Sequence, residues 1–410
     1  MTAAAEAALE RAVREDGPRL RAALAARLRD LDAAEEALAF ACAAAVEAWR
    51  RGGPPRDPAA WLYAAARRRA FDLARRADVR RRLRPDPPEP APTPESLVLA
   101  AAEPIPDERL RLIFVCCHPA LALESRAMLT LRVVCGLSVE RLARAFLTTP
   151  AAATQRLTRA KRKIREARIP FETPDRAAWP ERMAAVLATL EIAYAQAYED
   201  AAAASDPDSL AHEALRLTGL LAELAPNDPE ALGLAALVRL AESRRAARVG
   251  SDGGMVPLDR QEVRLWDARL IAEAADLLAR AAGARRSGPY QVMAAIHAAH
   301  ASRLQTGRTP HEAICELYAT LRLMRPTPVV SVNQAAALAA AGRLDEARAL
   351  LDALRGDGRL SDWPPYLAAR AALDEATGDV GRAREALARA AELTSSPVER
   401  RFLQARSERL

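Results

Sequence analysis

The sequence predicts an all-α protein with more than one domain. Half of its 410 residues are hydrophobic but only 4% are aromatic, and alanine and leucine supply most of the apolar surface. No segment shows the sustained alternation of Val, Ile and Thr that is typical of half-buried strands. A chain of this length has room for two or three domains and a sizeable core.

Composition also predicts the compartment and the state of the thiols. No apolar run approaches the ~18 uncharged residues of a membrane helix, and the N-terminus lacks a basic segment followed by an apolar one. We therefore expect a cytoplasmic protein that does not enter a membrane. Its five cysteines have no repeated spacing, which favours reduced and mostly buried thiols.

Residues 8–50 predict two amphipathic helices. Leu20, Leu24 and Leu28 recur at helical spacing and form the apolar stripe of the first. The second follows an acidic start. Its stripe consists of Ala34, Leu38, Ala41 and Ala45.

A third helix runs from Ala59 into the 80s, after a stiff loop rich in Gly and Pro at 51–58. We expect Trp61 to anchor the core, although Trp49, Trp61 and Phe71 could also stack on unpaired bases. The arginines expected on the outside are Arg67, Arg68, Arg69, Arg75 and Arg76. Positions 61–84 contain nine Arg and two Asp, which gives a local net charge of +7.

A proline-rich segment follows this helix. Eight of the 22 residues at 85–106 are proline, which predicts an extended, semi-rigid linker rather than a folded element.

Residues 137–164 predict a helix-turn-helix. Ser138 is a good N-cap for a short helix over 139–146, and Leu137 can pack on Leu142 as a hydrophobic staple. After a turn at 147–149, Thr149 is the N-cap and Pro150 the first residue of a second helix. The buried stripe predicted for this second helix is Ala153, Leu157, Ala160 and Ile164.

The outer faces of this second helix carry groups that bind DNA. Gln and Arg near the helix start suit base edges in a major groove, and the following cations suit phosphates. Residues 154–168 have a net charge of +6, so the positive charge is concentrated in two patches, as phosphate-binding surfaces require. The chain's only two lysines, Lys161 and Lys163, lie here.

The C-terminal half predicts paired helices that repeat. GRLDEARALL at 342–351 and GDVGRAREAL at 378–387 coincide at an offset of 36 residues, close to the tetratricopeptide (TPR) period of about 34 residues. Earlier pairs at 210–224 and 229–241 are candidate degenerate units. Two clear repeats are too few for a stable array, so flanking helices must complete the stack.

Several motifs in order resemble bacterial extracytoplasmic function (ECF) RNA polymerase sigma factors. They are DLDAAEEAL (30–38), PAAWLYAAARRRAFDLARR (58–76), the proline-rich linker, LRLIFVCCHPAL (110–121) and RAKRKIREARIPF (159–171). GPYQVMAAIHAAHA (288–301), PTPVVSVNQAAALA (326–339) and ERRFL (399–403) resemble the subgroup with a TPR-like extension.

The resemblance implies a domain organisation. Residues 1–84 would form sigma region 2, 85–106 the linker, 107–171 sigma region 4 and 172–410 the TPR-like extension. The implied partners are core RNA polymerase, promoter DNA and a possible protein partner of the extension.

The resemblance also implies site residues. Contacts to the polymerase clamp are expected from Asp32, Glu35 and Glu36. Contacts to the −10 element are expected from Arg67, Arg68, Arg69, Asp72, Arg75 and Arg76. Contacts to the −35 element and its phosphates are expected from Thr154, Gln155, Arg156, Arg159, Lys161 and Lys163.

The chain departs from the family pattern at two clamp positions. Ala39 stands where the family usually has Gln, and Cys42 stands where it has an aromatic residue. Arg68 stands where the family frequently has Asn, which predicts a preference for a different −10 sequence. The weakened clamp contact suggests that the C-terminal extension is needed for activity.

Nothing in the sequence indicates an enzyme, a cofactor or a metal site. Cys116, Cys117 and His118 lack a second ligand pair nearby, so buried thiols are the better interpretation. Two other functions stay open: a helix-turn-helix regulator that does not bind polymerase, and a TPR-type scaffold whose basic patches bind an acidic partner.

Overall fold

In the computed structural model the protein is all-α, as the sequence predicts. The structure describes residues 3–82, 108–134, 136–146, 148–175, 177–199, 210–251, 253–356, 360–394 and 396–410. Among these residues no strand occurs, apart from an isolated β-bridge between Val249 and Met255. The chain divides into two compact units, Met1–Ala193 and Tyr194–Leu410.

The first unit spans the residues predicted to form the two sigma-type domains. Its helices are α1 (Ala3–Glu15), α2 (Gly17–Leu28), α3 (Leu31–Gly52), α4 (Pro58–Arg82), α5 (Arg109–Cys116), α6 (Leu123–Val133), α7 (Val139–Ala145), α8 (Pro150–Glu166) and the start of α9 (Trp179–Glu199). The predicted linker at 85–106 lies outside the described residues, so the predicted domain boundaries stay predictions.

The N-terminal segment has one helix more than the sequence predicts for residues 8–50. Its first predicted helix is split into α1 and α2. Pro18 is the reason, because it lacks an N–H and its ring would collide with the carbonyl four residues earlier in a continuous helix. Pro18 lies instead in the first turn of α2, where neither cost arises.

The core of this segment is aromatic where α3 meets α4. Asp30 caps α3 by accepting hydrogen bonds from the backbone N–H groups of Asp32 and Ala33. Trp49 and Trp61 pack edge to face with ring centroids 5.5 Å apart, and both are buried. Trp61 is thus the core anchor that the sequence predicts.

The second unit consists of helix pairs. After the end of α9, its helices are α10 (Leu210–Leu224), α11 (Pro229–Glu242), α12 (Ala268–Gly283), α13 (Pro289–Ala301), α14 (Arg303–Thr306), α15 (His311–Met324), α16 (Pro328–Ala340), α17 (Leu344–Ala353), α18 (Pro364–Ala376), α19 (Val380–Leu393) and α20 (Pro397–Arg409). Short 3-10 helices lie between α11 and α12.

The 36-residue repeat of the sequence is also a repeat of the structure. Gly342 and Gly378 both have positive φ, +79° and +84°, just before α17 and α19. The equivalent small and large apolar residues of both repeats are fully buried: Ala347, Leu351, Ala383 and Leu387. Since the backbone turns and the core positions coincide, the two segments are equivalent structural units.

Candidate nucleic-acid interface

Helices α7 and α8 form the two helices of the helix-turn-helix that the sequence predicts over 137–164. Ser138 Oγ accepts a hydrogen bond from Arg141 N at 3.3 Å in the first turn of α7. Thr149 caps α8 by accepting from Ala152 N at 3.2 Å, and Pro150 is the first residue of α8. Both predicted caps are therefore present.

The two faces of α8 are also as predicted. Its buried residues are Ala153, Leu157, Ala160 and Ile164. Thr154, Gln155, Arg159 and Lys163 are exposed. The start of α8 therefore presents to solvent polar and basic side chains of the types that pair with base edges.

The exposed side chains of α8 are held by local hydrogen bonds. Thr154 Oγ1 donates to Pro150 O at 2.8 Å, and Arg159 Nη2 donates to Gln155 Oε1 at 3.3 Å. Arg156 pairs with Glu124 of α6 at 3.0 Å. Gln155 and Arg159 are thus hydrogen-bonded neighbours one helical turn apart.

The basic face of α4 is only partly described. Arg67, Arg68 and Arg69 are half-buried, and the side chains of Asp72, Arg75 and Arg76 lie outside the described residues.

Arg69 points toward α3. Its Nη2 lies 3.1 Å from Glu36 Oε1, and its guanidinium stacks at 4.9 Å over the ring of Phe40. Phe40 is 48% exposed and supplies an aromatic surface two positions before Cys42, where the sequence lacks the expected aromatic. Sequence reasoning assigned no role to Phe40; its signal was an apolar residue outside the stripe of Ala34, Leu38 and Ala41.

The acidic start of α3 contacts the second half of α8. Lys161 Nζ lies 3.0 Å from Asp32 Oδ1 and 2.7 Å from Glu35 Oε2. Arg165 Nη1 lies 3.7 Å from Asp30 and 3.5 Å from Asp32. We call Asp30, Asp32, Glu35, Lys161 and Arg165 the charge cluster. It joins two residues expected to bind polymerase to one expected to bind DNA.

Lys161 stays charged in this setting. Burial alone would lower the pKa of its amine, but hydrogen bonds and attraction from Glu35 and Asp32 outweigh burial and raise the pKa. The Lys161 side chain is only 13% exposed. Lys161 is therefore an internal ion-pair partner in this structure, unlike the exposed Lys163.

A second contact joins α2 to the turn before α7. Arg21 Nε donates to Val133 O at 3.0 Å. Gly136 has φ +80°, and a Cβ at Gly136 would lie 2.6 Å from Arg21 Nη2. Gly136 thus provides both the left-handed turn and the space for the guanidinium. No sequence pattern indicates this pairing, because its partners are more than a hundred residues apart.

The thiols near α5 are buried, as predicted. Cys116 and Cys117 are inaccessible, and burial raises the pKa of Cys117 to about 11. Over the part of the chain that the structure describes, no group of three or more His, Cys, Asp or Glu could hold a metal ion. None of the helices in the described ranges is long and apolar enough to cross a membrane.

The fold and the basic second helix define a DNA-binding helix-turn-helix protein, and comparison with known families specifies its class. Residues 111–164 match the family model of sigma-70 region 4. The chain is therefore a sigma-factor-like protein. Residues 182–282 match a family of unknown function, DUF6596.

The chain is 39% identical over 402 residues to "Uncharacterized protein R00370" of Rhizobium meliloti (strain 1021), which covers 96% of this chain and 93% of the rhizobial protein. The chain belongs to the same family as this protein. No solved structure matches the chain significantly.

Proposed function

We propose that the protein is an ECF-type sigma factor. It binds core RNA polymerase and directs initiation at specific promoters, and its C-terminal helices modulate this activity. One observation carries the proposal: the helix-turn-helix within the sigma-70 region 4 match exposes Thr154, Gln155 and Arg159 on a capped helix. Such a subunit acts on the chromosome in the cytoplasm and makes or breaks no bond itself.

The division of roles follows the two basic surfaces. Region 4 places Thr154, Gln155, Arg156 and Arg159 at the −35 major groove, and Lys163 at neighbouring phosphates. Arginines of α4 bind the −10 element, where strand separation exposes phosphates and bases. Asp32, Glu35 and Glu36 bind the polymerase clamp. The exposed ring of Phe40, held by Arg69, adds apolar area to that acidic surface.

The C-terminal extension is proposed as a TPR-like module. Its support is the structural repeat that places Gly342 and Gly378 before equivalent helices. It would bind a protein partner or brace the DNA-binding part of the chain. The start of α9 contacts α5, since Trp179 packs on Phe114 with ring centroids 5.2 Å apart and Arg182 donates to Phe114 O. A truncation that tests the extension should therefore end at Ala193.

The test is transcription in vitro with purified core polymerase and a library of genomic fragments. The full chain is expected to start transcripts at a defined set of fragments, and Arg159→Ala is expected to reduce or redistribute them. Arg348→Ala is the matched control, since Arg348 is an exposed arginine of α17 in the second unit.

The outcomes separate the possible functions. A chain that binds the fragments but does not start transcripts with core polymerase is a regulator and not a sigma factor. Fragment binding with no salt dependence would favour a scaffold, because phosphate contacts release counterions. Undiminished transcription by the chain that ends at Ala193 would refute modulation by the extension.

A further inference from the structure

We propose that the charge cluster is a self-inhibitory contact. In the closed first unit, Lys161 and Arg165 of α8 cover the acidic residues of α3 that bind polymerase, and this contact must open before the protein docks. The inference rests on the proposed function and specifies how the polymerase-binding surface is regulated.

The first argument is the occupancy of the carboxylates. Lys161 Nζ bridges Asp32 and Glu35 at 3.0 and 2.7 Å, which are lengths of charge-assisted hydrogen bonds. Arg165 adds a second cation to Asp32 at 3.5 Å. A basic side chain of polymerase that approached Glu35 would meet the like charge of Lys161, so both cannot hold the same carboxylate.

The second argument is the identity of the covering element. Lys161 and Arg165 lie on the same helix as Gln155 and Arg159, which are proposed to read the −35 element. The contact therefore joins the polymerase-binding end of the chain to its DNA-binding end. One opening motion would free the acidic surface and release α8 to move with its DNA.

The third argument is that the contact is polar and can open. The cluster borders a cleft of about 310 Å³ lined also by Arg29, Arg168, Ile169 and Phe171. Half of the Asp32 side chain and more than half of the Arg165 side chain are exposed. Water and ions can reach such pairs, so a polymerase surface can compete with Lys161 and Arg165 for these carboxylates.

Gain of binding is the first test, because damage to the protein cannot mimic it. The variant Lys161→Glu with Arg165→Glu repels α3. It is expected to bind core polymerase without DNA about tenfold tighter than the wild type, as a closed state populated about ten to one would require. The control is Arg162→Glu with Lys163→Glu, which puts the same charge on the exposed face of α8.

A second variant, Lys161→Gln with Arg165→Gln, keeps the test valid if the charge-reversed variant misfolds. It is also expected to bind core polymerase more tightly than the wild type. Circular dichroism verifies the helix content of each variant. The inference would be overturned if neither the charge-reversed nor the neutral variant bound core polymerase more tightly than the control variant.

A zero-length crosslink measures the contact directly. A carbodiimide joins an amine to a carboxylate in contact with it, and Lys161 and Lys163 are the only lysines of the chain. In the free protein the expected product links Lys161 to Asp32 or Glu35, with Lys161→Arg as the control that keeps the charge but cannot form the amide.

The crosslink also separates the inference from the proposed function. Its yield is expected to fall when core polymerase is bound before the reagent is added. An undiminished yield in the complex would show that the contact belongs to the docked state, and would overturn the inference while the proposed function stands. If no form of the protein bound core polymerase, the proposed function would fall and the inference with it.

Discussion

Substitution of Gly233 by Ala should destabilise the second unit, although Ala is the better helix former. Gly233 is buried in α11, and a Cβ there would lie 2.7 Å from Gln291 N and 3.0 Å from the carbonyl carbon of Tyr290, at the start of α13. These atoms belong to backbone and not to a flexible side chain end. The start of α13 is also fixed, because Glu230 of α11 accepts hydrogen bonds from the backbone N–H groups of Tyr290 and Gln291 at 3.0 and 3.3 Å.

The two contributions to the free energy of unfolding have opposite signs. Overpacking against a fixed backbone costs about 2–3 kcal/mol, and the gain in helix propensity returns about 1 kcal/mol. The net loss is therefore about 1–2 kcal/mol, and in a unit of this size each kcal/mol lowers Tm by about 2–4 °C.

Hydrogen exchange of peptides from α11 and α13 in a urea series measures this effect locally. Gly283→Ala is the control, because a Cβ at Gly283 in α12 meets no atom within 4 Å. It should be neutral or slightly stabilising. The reasoning is refuted if Gly233→Ala is as stable as Gly283→Ala.

Three further predictions concern the helix-turn-helix and the histidines. Thr149→Ala removes the cap of α8, which should lower the free energy of unfolding by about 1 kcal/mol and weaken −35 binding in a gel-shift assay. The control Ser396→Ala removes the cap of α20 and should leave DNA binding unchanged. Lys163→Ala should lower the slope of log K against log salt by about 0.9 for every promoter tested, and Arg348→Ala should leave the slope as it is. Burial, helped by Arg244 and His311, lowers the pKa of His300 to about 4, so the unfolded chain binds more protons than the native one between pH 6.5 and 4. The stability that neutral His300 contributes, about 3 kcal/mol, is present above pH 6.5 and is lost as pH falls toward 4. Urea titrations at pH 7 and pH 4 should show a smaller loss of unfolding free energy for His300→Gln than for the wild type. An equal loss would contradict the assignment.

Local features of the first unit could be predicted from the sequence because their causes are local. The caps of α7 and α8 depend on a hydroxyl next to the first turn, and the stripe of Ala153, Leu157 and Ala160 depends on a period of 3.6 residues. The split between α1 and α2 was also within reach, since Pro18 marks it. The break was missed because apolar residues recur at helical spacing both before and after Pro18.

The closure of the first unit could not be predicted. The pairs of Lys161 with Glu35 and of Arg21 with Val133 join residues more than a hundred positions apart. In each helix taken alone, the side chains of Arg21, Glu35 and Lys161 look solvated, because a charged residue on an outer face is the ordinary case. Assignment of Lys161 to DNA rested on its position in α8, whereas its contacts in this structure depend on what α8 packs against.

The fit of Arg21 against Gly136 has a consequence for how the family can vary. The turn requires a residue that tolerates φ +80°, and the guanidinium fills the space that any side chain there would need. A homologue that acquires a Cβ at position 136 must therefore shorten or redirect the side chain at position 21. The two positions should covary across evolution, although one precedes the proline-rich segment and the other follows it.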